Sequence, residues 1–362
     1  MQAKKKMIFD DLINQSGEWL SAKGPHNDIV ISSRVRLARN LAAFPFMSKA
    51  NRSQRMQLHR LCRERLTALP GLTNLLYLEV DKTDDADRQM LVERHLISKQ
   101  LAAGEGSRGV AITGDEALSV MVNEEDHIRL QVMRSGVQLR ECWREADRLD
   151  DLLQQQLDYA FHERWGYLTA CPTNVGTGMR VSVMMHLPAL KLTGEIEKVF
   201  QAARDMHLAI RGLFGEGTEA VGDFYQISNQ TTLGRSEEEI LSEFSDSVIP
   251  RIIEAEMTAR AILEHERPLA VDDKIGRGIG VLRHARLLTT EETLYFLSHL
   301  RLGVAMKRIA GMDIDAINKL FLAVQPAHLQ RILGKRLDGE ARKAARADFV
   351  RRALQPDSRS GS

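Results

Sequence analysis

Residues 109–133 read GVAITGDEALSVMVNEEDHIRLQVM, and this stretch decides the fold class. The runs GVAIT, LSVMVNE and HIRLQVM are rich in β-branched and apolar residues with turn residues between them, which predicts two or three consecutive β-strands. Upstream, LLYLEV ending at Val80 and IVISSRVRLARN from Ile29 read as strands, and SQRMQLHRLCRERLTAL from Ser53 as an amphipathic helix. Residues 7–22 have helical apolar spacing that stops at Gly24-Pro25. Downstream, a helix is expected from about Gln138 to Phe161, then strands near 179–187, 208–214 and 224–228. From Ser236 the strand signals end, and helical patterns fill 237–265, with a kink at Pro250, then 289–309, 313–323 and 339–354. Consecutive strands flanked by helices predict an α+β fold with a largely antiparallel sheet. The expected organisation is a short helical segment at 1–25, a catalytic domain at 26–260 and a helical C-terminal domain at 261–362.

Composition narrows the function. The chain has 362 residues, 43% of them hydrophobic, and a formal charge of +1, so net charge gives no support for general nucleic-acid or membrane-surface binding. Arg outnumbers Lys by 36 to 14, a bias that suits phosphate handling because guanidinium forks pair with phosphate oxygens. Cys62, Cys142 and Cys171 are too scattered for a disulfide framework or zinc site. No apolar run approaches the roughly 20 residues of a membrane span, and no signal peptide follows Lys4-Lys5-Lys6, so a cytoplasmic location is expected.

There is no GxxxxGK[ST] phosphate loop, no HRD loop with a DFG partner and no HExxH. Gly276-Arg277-Gly278-Ile279-Gly280 reads as a loop. Five arginines stand out instead. Arg34 and Arg36 lie two apart on a strand and so share a face. Arg129 follows NEEDH, Arg180 follows TNVGTG, and Arg211 opens RGLFGEGTEA. Period-2 spacing places Glu125, His127 and Arg129 on one face. Cys171 heads the turn CPTNVGTG, and Glu216 sits between Gly215 and Gly217.

The segments SSRVRLARN, NEEDHIR, CPTNVGTGMR and RGLFGEGTEA occur in the order and approximate spacing of the phosphagen (guanidino) kinases, and the chain most resembles the bacterial protein-arginine kinases. The resemblance implies an ATP- and Mg2+-dependent phosphotransferase with a guanidino-kinase sheet. It implies nucleotide binding by Ser32, Ser33, Arg34, Val35 and Arg36, and by His95 and Arg129. It extends that role to Arg180, Val181, Ser182, Val183 and Met184, and to Arg211, Gly212, Leu213, Phe214 and Gly215. Glu125 and Glu216 match the carboxylates that clamp the acceptor guanidinium, and Cys171 matches the reactive cysteine beside it. Metal contacts are expected from ATP itself, with Glu124 reaching Mg2+ through water, so no residue is assigned as a direct metal ligand.

Only about 25 residues precede Gly24, too few for the helical domain that closes over small acceptors in the similar enzymes, so arginine on a protein is the expected acceptor. A kinase for free arginine or another small guanidine, and a phosphoarginine-binding adaptor with a vestigial kinase core, are the alternatives. From Arg331 to Arg352 the chain carries eight Lys/Arg and three Asp/Glu. There the phosphoarginine-binding motif of the similar enzymes is matched by Arg342 and Arg346, but Lys343 replaces its Asp. The resemblance further implies an activator protein, a Clp chaperone-protease as partner, a role in the stress response and a homodimer.

Overall fold

The structure, a computed structural model, describes residues 9–10, 12–13, 15–70, 74–212 and 221–355. One sheet holds β1 (Val30–Arg39), β2 (Leu75–Glu79), β3 (Gly109–Thr113), β4 (Leu118–Val122), β5 (Ile128–Ser135), β6 (Met179–His186), β7 (Leu208–Gly212) and β8 (Phe224–Asn229). Its order is β2-β3-β4-β5-β1-β6-β8-β7, with every neighbouring pair antiparallel. The predicted α+β class holds.

The helices are α1 (Arg52–Thr67), α2 (Asp85–Glu93), α3 (Lys99–Ala103), α4 (Leu139–Gln154), α5 (Pro188–Thr193) and α6 (Ile196–Asp205). After the sheet come α7 (Glu237–Ser242), α8 (Ile249–Glu266), α9 (Pro268–His284), α10 (Thr290–Ala305), α11 (Ile314–Ala323), α12 (Pro326–Ile332) and α13 (Gly339–Ala353). The sequence reading missed α2, α3, α5, α6, α9 and α12.

Strand alternation sorts the side chains into two layers. Val35, Leu37, Val181 and Val183 pack with Leu139, Cys142, Ala146 and Leu149 of α4 on one face. Ile31, Met133, Met184 and Phe224 pack with Leu294, Leu297 and Phe321 of the C-terminal helices on the other. Each fully buried aliphatic side chain contributes about 1.5–3 kcal/mol. The second face is covered only in part, and the arginines of β1, β5, β6 and β7 occupy what remains.

Several expectations are corrected. Residues 7–22 are not one helix: helix appears at 9–10 and 12–13, Gly17 turns at φ 68°, and Glu18–Leu20 form a 3-10 turn anchored by Glu18 N–H donating to Asp115 O. The helix expected to reach Phe161 ends at Gln154, because Phe161–His162 pairs with Gly166–Tyr167 in a small hairpin. Gly276–Gly280 is helix, not loop. Val271, Ile275, Gly278 and Leu282 form the buried face of α9, and Gly278 lets α10 approach, since a Cβ there would sit 3.3 Å from His299 Cβ. Pro250 lies near the start of α8, which continues directly from a π-turn at Glu243–Val248, so the irregularity falls just before the proline.

Buried polar networks bind the C-terminal helices to the sheet. Arg301 of α10 donates to Asp28 O (2.8 Å) and to His186 Nδ1 (3.0 Å) at the end of β6, and Ser298 Oγ meets the other ring nitrogen at 2.8 Å. Arg94 forks onto Glu116, with Nε to Oε2 at 2.8 Å, and contacts His328 of α12 at 3.2 Å. These ties fix the ends of the strands that carry the site.

Candidate active site

Register brings the arginines together. Arg36 of β1 lies directly opposite Arg180 of β6, and Arg34 opposite Ser182. Arg129 of β5 pairs with Ala38, and Arg211 of β7 with Gln226 of β8. Arg34 donates from Nε to Ser182 Oγ (3.2 Å) and from Nη2 to Gln226 Oε1 (2.9 Å). Burial, then the positive charges of Arg180, Arg129 and Arg211, bring Arg34 down to about 10. Arg36 is driven well below the usual guanidinium range by burial and by Arg34, Arg129 and Arg180, against an opposing pull from Glu124, and its Nε meets no acceptor among the described residues. Guanidiniums crowded this way favour an anion, because a multiply charged phosphate chain relieves their repulsion.

Arg36, Arg129, Arg180 and Arg211 line a cleft of about 650 Å³ together with Glu125, Cys171, Gln100, Asn174 and Gln230. Glu125 stands on the β4–β5 turn, not on a strand, which corrects the period-2 reading. Asn123 takes a positive φ of 60° and its side chain donates to Arg55 O (2.9 Å) and Ser107 O (2.7 Å), so the turn is pinned from below. Glu125 still meets Arg129, at 3.0 Å across the turn, and Glu124 holds the same guanidinium at 2.7 Å. His127 leaves the site altogether: Nδ1 accepts from Leu41 N–H (2.9 Å), Nε2 faces Pro45 O (3.0 Å), and burial lowers its pKa.

Cys171 caps the 3-10 turn Pro172–Asn174, half-buried, with Sγ 3.0 Å from Thr173 Oγ1. Its loop is tied down by Thr232 Oγ1 donating to Thr173 O (2.9 Å) and Val175 O (2.7 Å). Gly178 is required at its end, since φ is 63° and a Cβ would meet Ala38 O at 2.6 Å. Asp126 couples the Glu125 and Cys171 loops: its Oδ1 accepts from Asn40 Nδ2 and from Ala170 N–H, both at 2.7 Å.

His95 and Ser32 line a separate small hollow beside Arg34, Trp19, Met184 and Gln226. The His95 ring meets Trp19 edge-on at 5.1 Å, and burial, then Arg34 and Lys99, bring it down to about 3, so it is neutral near pH 7. Other expected nucleotide residues fall elsewhere. Ser33 donates to Gly136 O (2.7 Å), and Val35, Val181 and Val183 are buried in the α4-side core, so these side chains do not reach the cleft. Gly212 ends β7. Leu213, Phe214, Gly215 and Glu216 lie outside the described residues. Arg346 is not on an exposed basic face: its Nε and Nη1 donate to Val324 O (2.8 Å) and Leu288 O (2.9 Å), while Arg342 is half-buried.

Sequence reading missed Gln226, Trp19, Asn40 and Asp126 as supports of the site. Asp126 alone had a local signal, as a third acid in NEEDH. Among the described residues no cluster of three or more His, Cys, Asp or Glu could hold a metal, and no helix is long and apolar enough to cross a membrane.

Residues 57–259 match the family model for the ATP:guanido phosphotransferase C-terminal catalytic domain, and residues 268–361 match that for the protein-arginine kinase McsB C-terminal domain. The chain is 45% identical to a protein-arginine kinase of Halothermothrix orenii over 96% of its own length and 99% of that protein's. It is 46% identical to one of Symbiobacterium thermophilum, with shares of 96% and 99%. Among solved structures, lombricine kinase aligns with a TM-score of 0.59 at 26% identity, covering 68% of this chain and 73% of that one. The duplicated taurocyamine kinase of Schistosoma mansoni aligns with a TM-score of 0.60 at 27% identity, covering 65% and 34%.

Proposed function

We propose that this chain, which belongs to the ATP:guanido phosphotransferase family and to its protein-arginine kinase branch, moves the γ-phosphate of ATP onto arginine side chains of other proteins through the cleft between Glu125, Cys171 and the arginine cluster. The observation that carries this reading is the shared cleft itself: four guanidiniums for phosphate, and a carboxylate and a thiol for a cation, line one cavity.

A guanidinium has a pKa of about 12.5 to 13.8, so its nitrogen is a poor nucleophile until a base takes a proton. Glu125 orients the attacking nitrogen and accepts that proton as the N–P bond forms and the bond from γ-phosphorus to the bridging oxygen breaks, releasing ADP. Glu216 supplies the second carboxylate, and Cys171 meets the guanidinium from the loop side. Arg36, Arg129, Arg180 and Arg211 hold the transferring phosphoryl and stabilise charge on its oxygens. Arg34 and the neutral His95 form the floor beside the nucleoside.

Glu124 accepts from Ser98 Oγ (2.5 Å) and Glu125 N–H (2.9 Å) besides Arg129, so both its oxygens are engaged, and Mg2+ would be held chiefly by ATP and would meet Glu124 only through water. When bound there, Mg2+ offsets charge on the phosphate oxygens. In the finer reading, phosphoarginine marks proteins for a Clp-type protease in the stress response. The enzyme acts as a homodimer under an activator protein, with Arg342 and the remaining Nη2 of Arg346 as a weak phosphoarginine site.

The test is mass spectrometry, under acid-free conditions, of arginine-bearing proteins incubated with the enzyme and Mg-ATP. Phosphoarginine on those proteins is expected. Transfer to free arginine alone would overturn the protein acceptor.

A further inference from the structure

We infer that a hollow beside Gln230, at the acceptor end of the cleft, takes an aliphatic side chain that neighbours the acceptor arginine in a polypeptide. The inference rests on the protein-acceptor reading above and adds what the enzyme recognises next to the arginine. The hollow measures about 320 Å³, and Met206, Leu208, Asn229, Gln230 and Thr231 are among its lining residues. Gln230 is exposed and also lines the cleft, so the two spaces share a wall.

Strand direction fixes which end of the cleft this is. The small hollow beside His95 is lined by Ser32 and Arg34 of β1, Ser182 of β6 and Gln226 of β8. The cleft takes Arg36, Leu37 and Ala38 from farther along β1, Gly178 and Arg180 from the start of β6, and Gln230 from just past β8. Because β6 runs antiparallel to both β1 and β8, the step from Ser32 to Ala38 is matched by steps from Ser182 to Gly178 and from Gln226 to Gln230. The nucleoside floor and Gln230 therefore lie toward opposite ends of the same strands. Asn229 pairs with Leu208, which puts the start of β7 at the Gln230 end as well.

The segment that walls the hollow also carries the Cys171 loop. Thr232 Oγ1 holds Thr173 O and Val175 O, and the chain passes so close that a Cβ on Gly176 would meet Thr232 O at 2.6 Å. The polar groups of the wall are largely spoken for. Asn229 Oδ1 accepts from Val181 N–H (2.8 Å), and its Nδ2 donates to Met179 O and Thr231 O, both at 3.2 Å. Arg235 and Glu243, which also line the hollow, pair with each other, and Arg235 Nη2 donates to Glu239 O (3.3 Å). A cationic guest would have to displace Arg235 from Glu243. Met206 and Leu208 offer apolar surface instead, and covering it with an aliphatic side chain removes both from water. Free arginine has no neighbouring residue to place there.

Five peptides test this, each with one arginine among Gly and Ser. Four carry a single Leu, at the first or second position on either side of the arginine, and the fifth carries none; kcat/KM is read by acid-free mass spectrometry. The wild-type enzyme should prefer Leu at one of the four positions by about tenfold over the peptide without Leu. Thr231→Trp sets an indole into the hollow and should erase that preference, while kcat/KM for the peptide without Leu and the KM for ATP stay at wild-type values. Met206→Ser removes apolar wall without adding bulk and should weaken the same preference, which keeps the test independent of how the tryptophan is accommodated. A wild-type enzyme indifferent to Leu at every position, or a Thr231→Trp variant that keeps the preference or loses activity on all five peptides alike, would overturn the subsite. If no peptide is phosphorylated while free arginine is, the protein-acceptor reading fails, and the hollow loses its occupant with it.

Discussion

Arg129 Nη2 lies 3.0 Å from Glu125 Oε2, so a guanidinium proposed to bind phosphate and a carboxylate proposed to bind guanidinium neutralise each other across one turn. Each blocks the other's task. On the proposed reading, ATP would draw Arg129 toward phosphate and leave Glu125 ready for the acceptor, and the pair would link occupancy of the two halves of the cleft.

Glu125→Gln separates the two roles. It keeps the shape and hydrogen-bonding atoms but removes both the base and the carboxylate that competes for Arg129. Turnover should fall by about two orders of magnitude or more, while ATP affinity is unchanged or tighter. Single-turnover kinetics and ATP calorimetry check both. Wild-type turnover, or clearly weaker ATP binding, would remove Glu125 from this role.

Arg36 is half-buried, faces Arg180 across the strand pair and has no acceptor for Nε among the described residues, so like charges crowd it in the site without ATP. Arg36→Met should raise the thermal midpoint of the ATP-free protein by about 2–4 °C, the shift expected for roughly 1 kcal/mol. The same variant should lose most of the further rise that wild type shows on adding ATP. A lower ATP-free midpoint would mean that Arg36 is satisfied in a way its geometry does not reveal.

The sheet was legible because its strands alternate cleanly: Arg34 and Arg36 against Val35 and Leu37 gives a period of two with unmistakable chemistry. The cleft was legible in the same residues. What escaped was set by tertiary contact. Glu125 and Arg129 meet because a turn reverses the chain, not because a strand repeats, and His127 is drawn away by Leu41 and Pro45, remote in sequence. Gly276–Gly280 looked like a loop because glycine propensity was read without the apolar stripe of Val271, Ile275 and Leu282, which packing on α10 rewards. Arg346 looked like a surface charge because nothing local shows that Val324 and Leu288 offer it carbonyls.

Acid should destabilise the fold before it protonates ordinary carboxylates. Burial brings His95 down to about 3 and His299 to about 4, and sets His186 well below its usual value. In the unfolded chain these imidazoles titrate near 6.5. Below about pH 6.5 the unfolded state takes up protons that the folded state refuses, so stability present above that pH is lost toward pH 4. Glu256, raised to about 7 by burial, acts in the opposite sense: its contribution is present below 4.5 and is lost as pH rises through 7. His59, His127 and His328 are lowered by burial as well, and Glu116, Asp147 and Asp223 are raised by it, so six depressed histidines stand against four raised acids. Thermal midpoints should fall between pH 6.5 and 4, and less steeply in His299→Gln. A midpoint that climbs on acidification would reverse the assignment.

The C-terminal basic helix makes the opposite demand on two arginines one turn apart. Arg346 is 2% exposed and donates from Nε and Nη1 to the carbonyls of Val324 and Leu288, which ties α13 to the end of α11 and to the segment before α10. Truncation leaves two buried carbonyls without donors and a cavity, so Arg346→Ala should cost about 2–4 kcal/mol in urea unfolding. Arg342→Ala, at a half-buried position, should stay within about 0.5 kcal/mol. Lys at 346 should not rescue, because a single ammonium cannot reproduce a fork spanning two carbonyls. Were the pair a surface anion site, the two alanine variants would be equally stable and would differ only in affinity for phosphorylated peptides. Any anion bound here must use Arg342 and the one Arg346 nitrogen left without a partner among the described residues, Nη2, so phosphopeptide binding should be weak and steeply salt-dependent. Equal stability of the two variants, together with tight and salt-insensitive phosphoarginine binding in wild type, would show that the helix turns outward in solution.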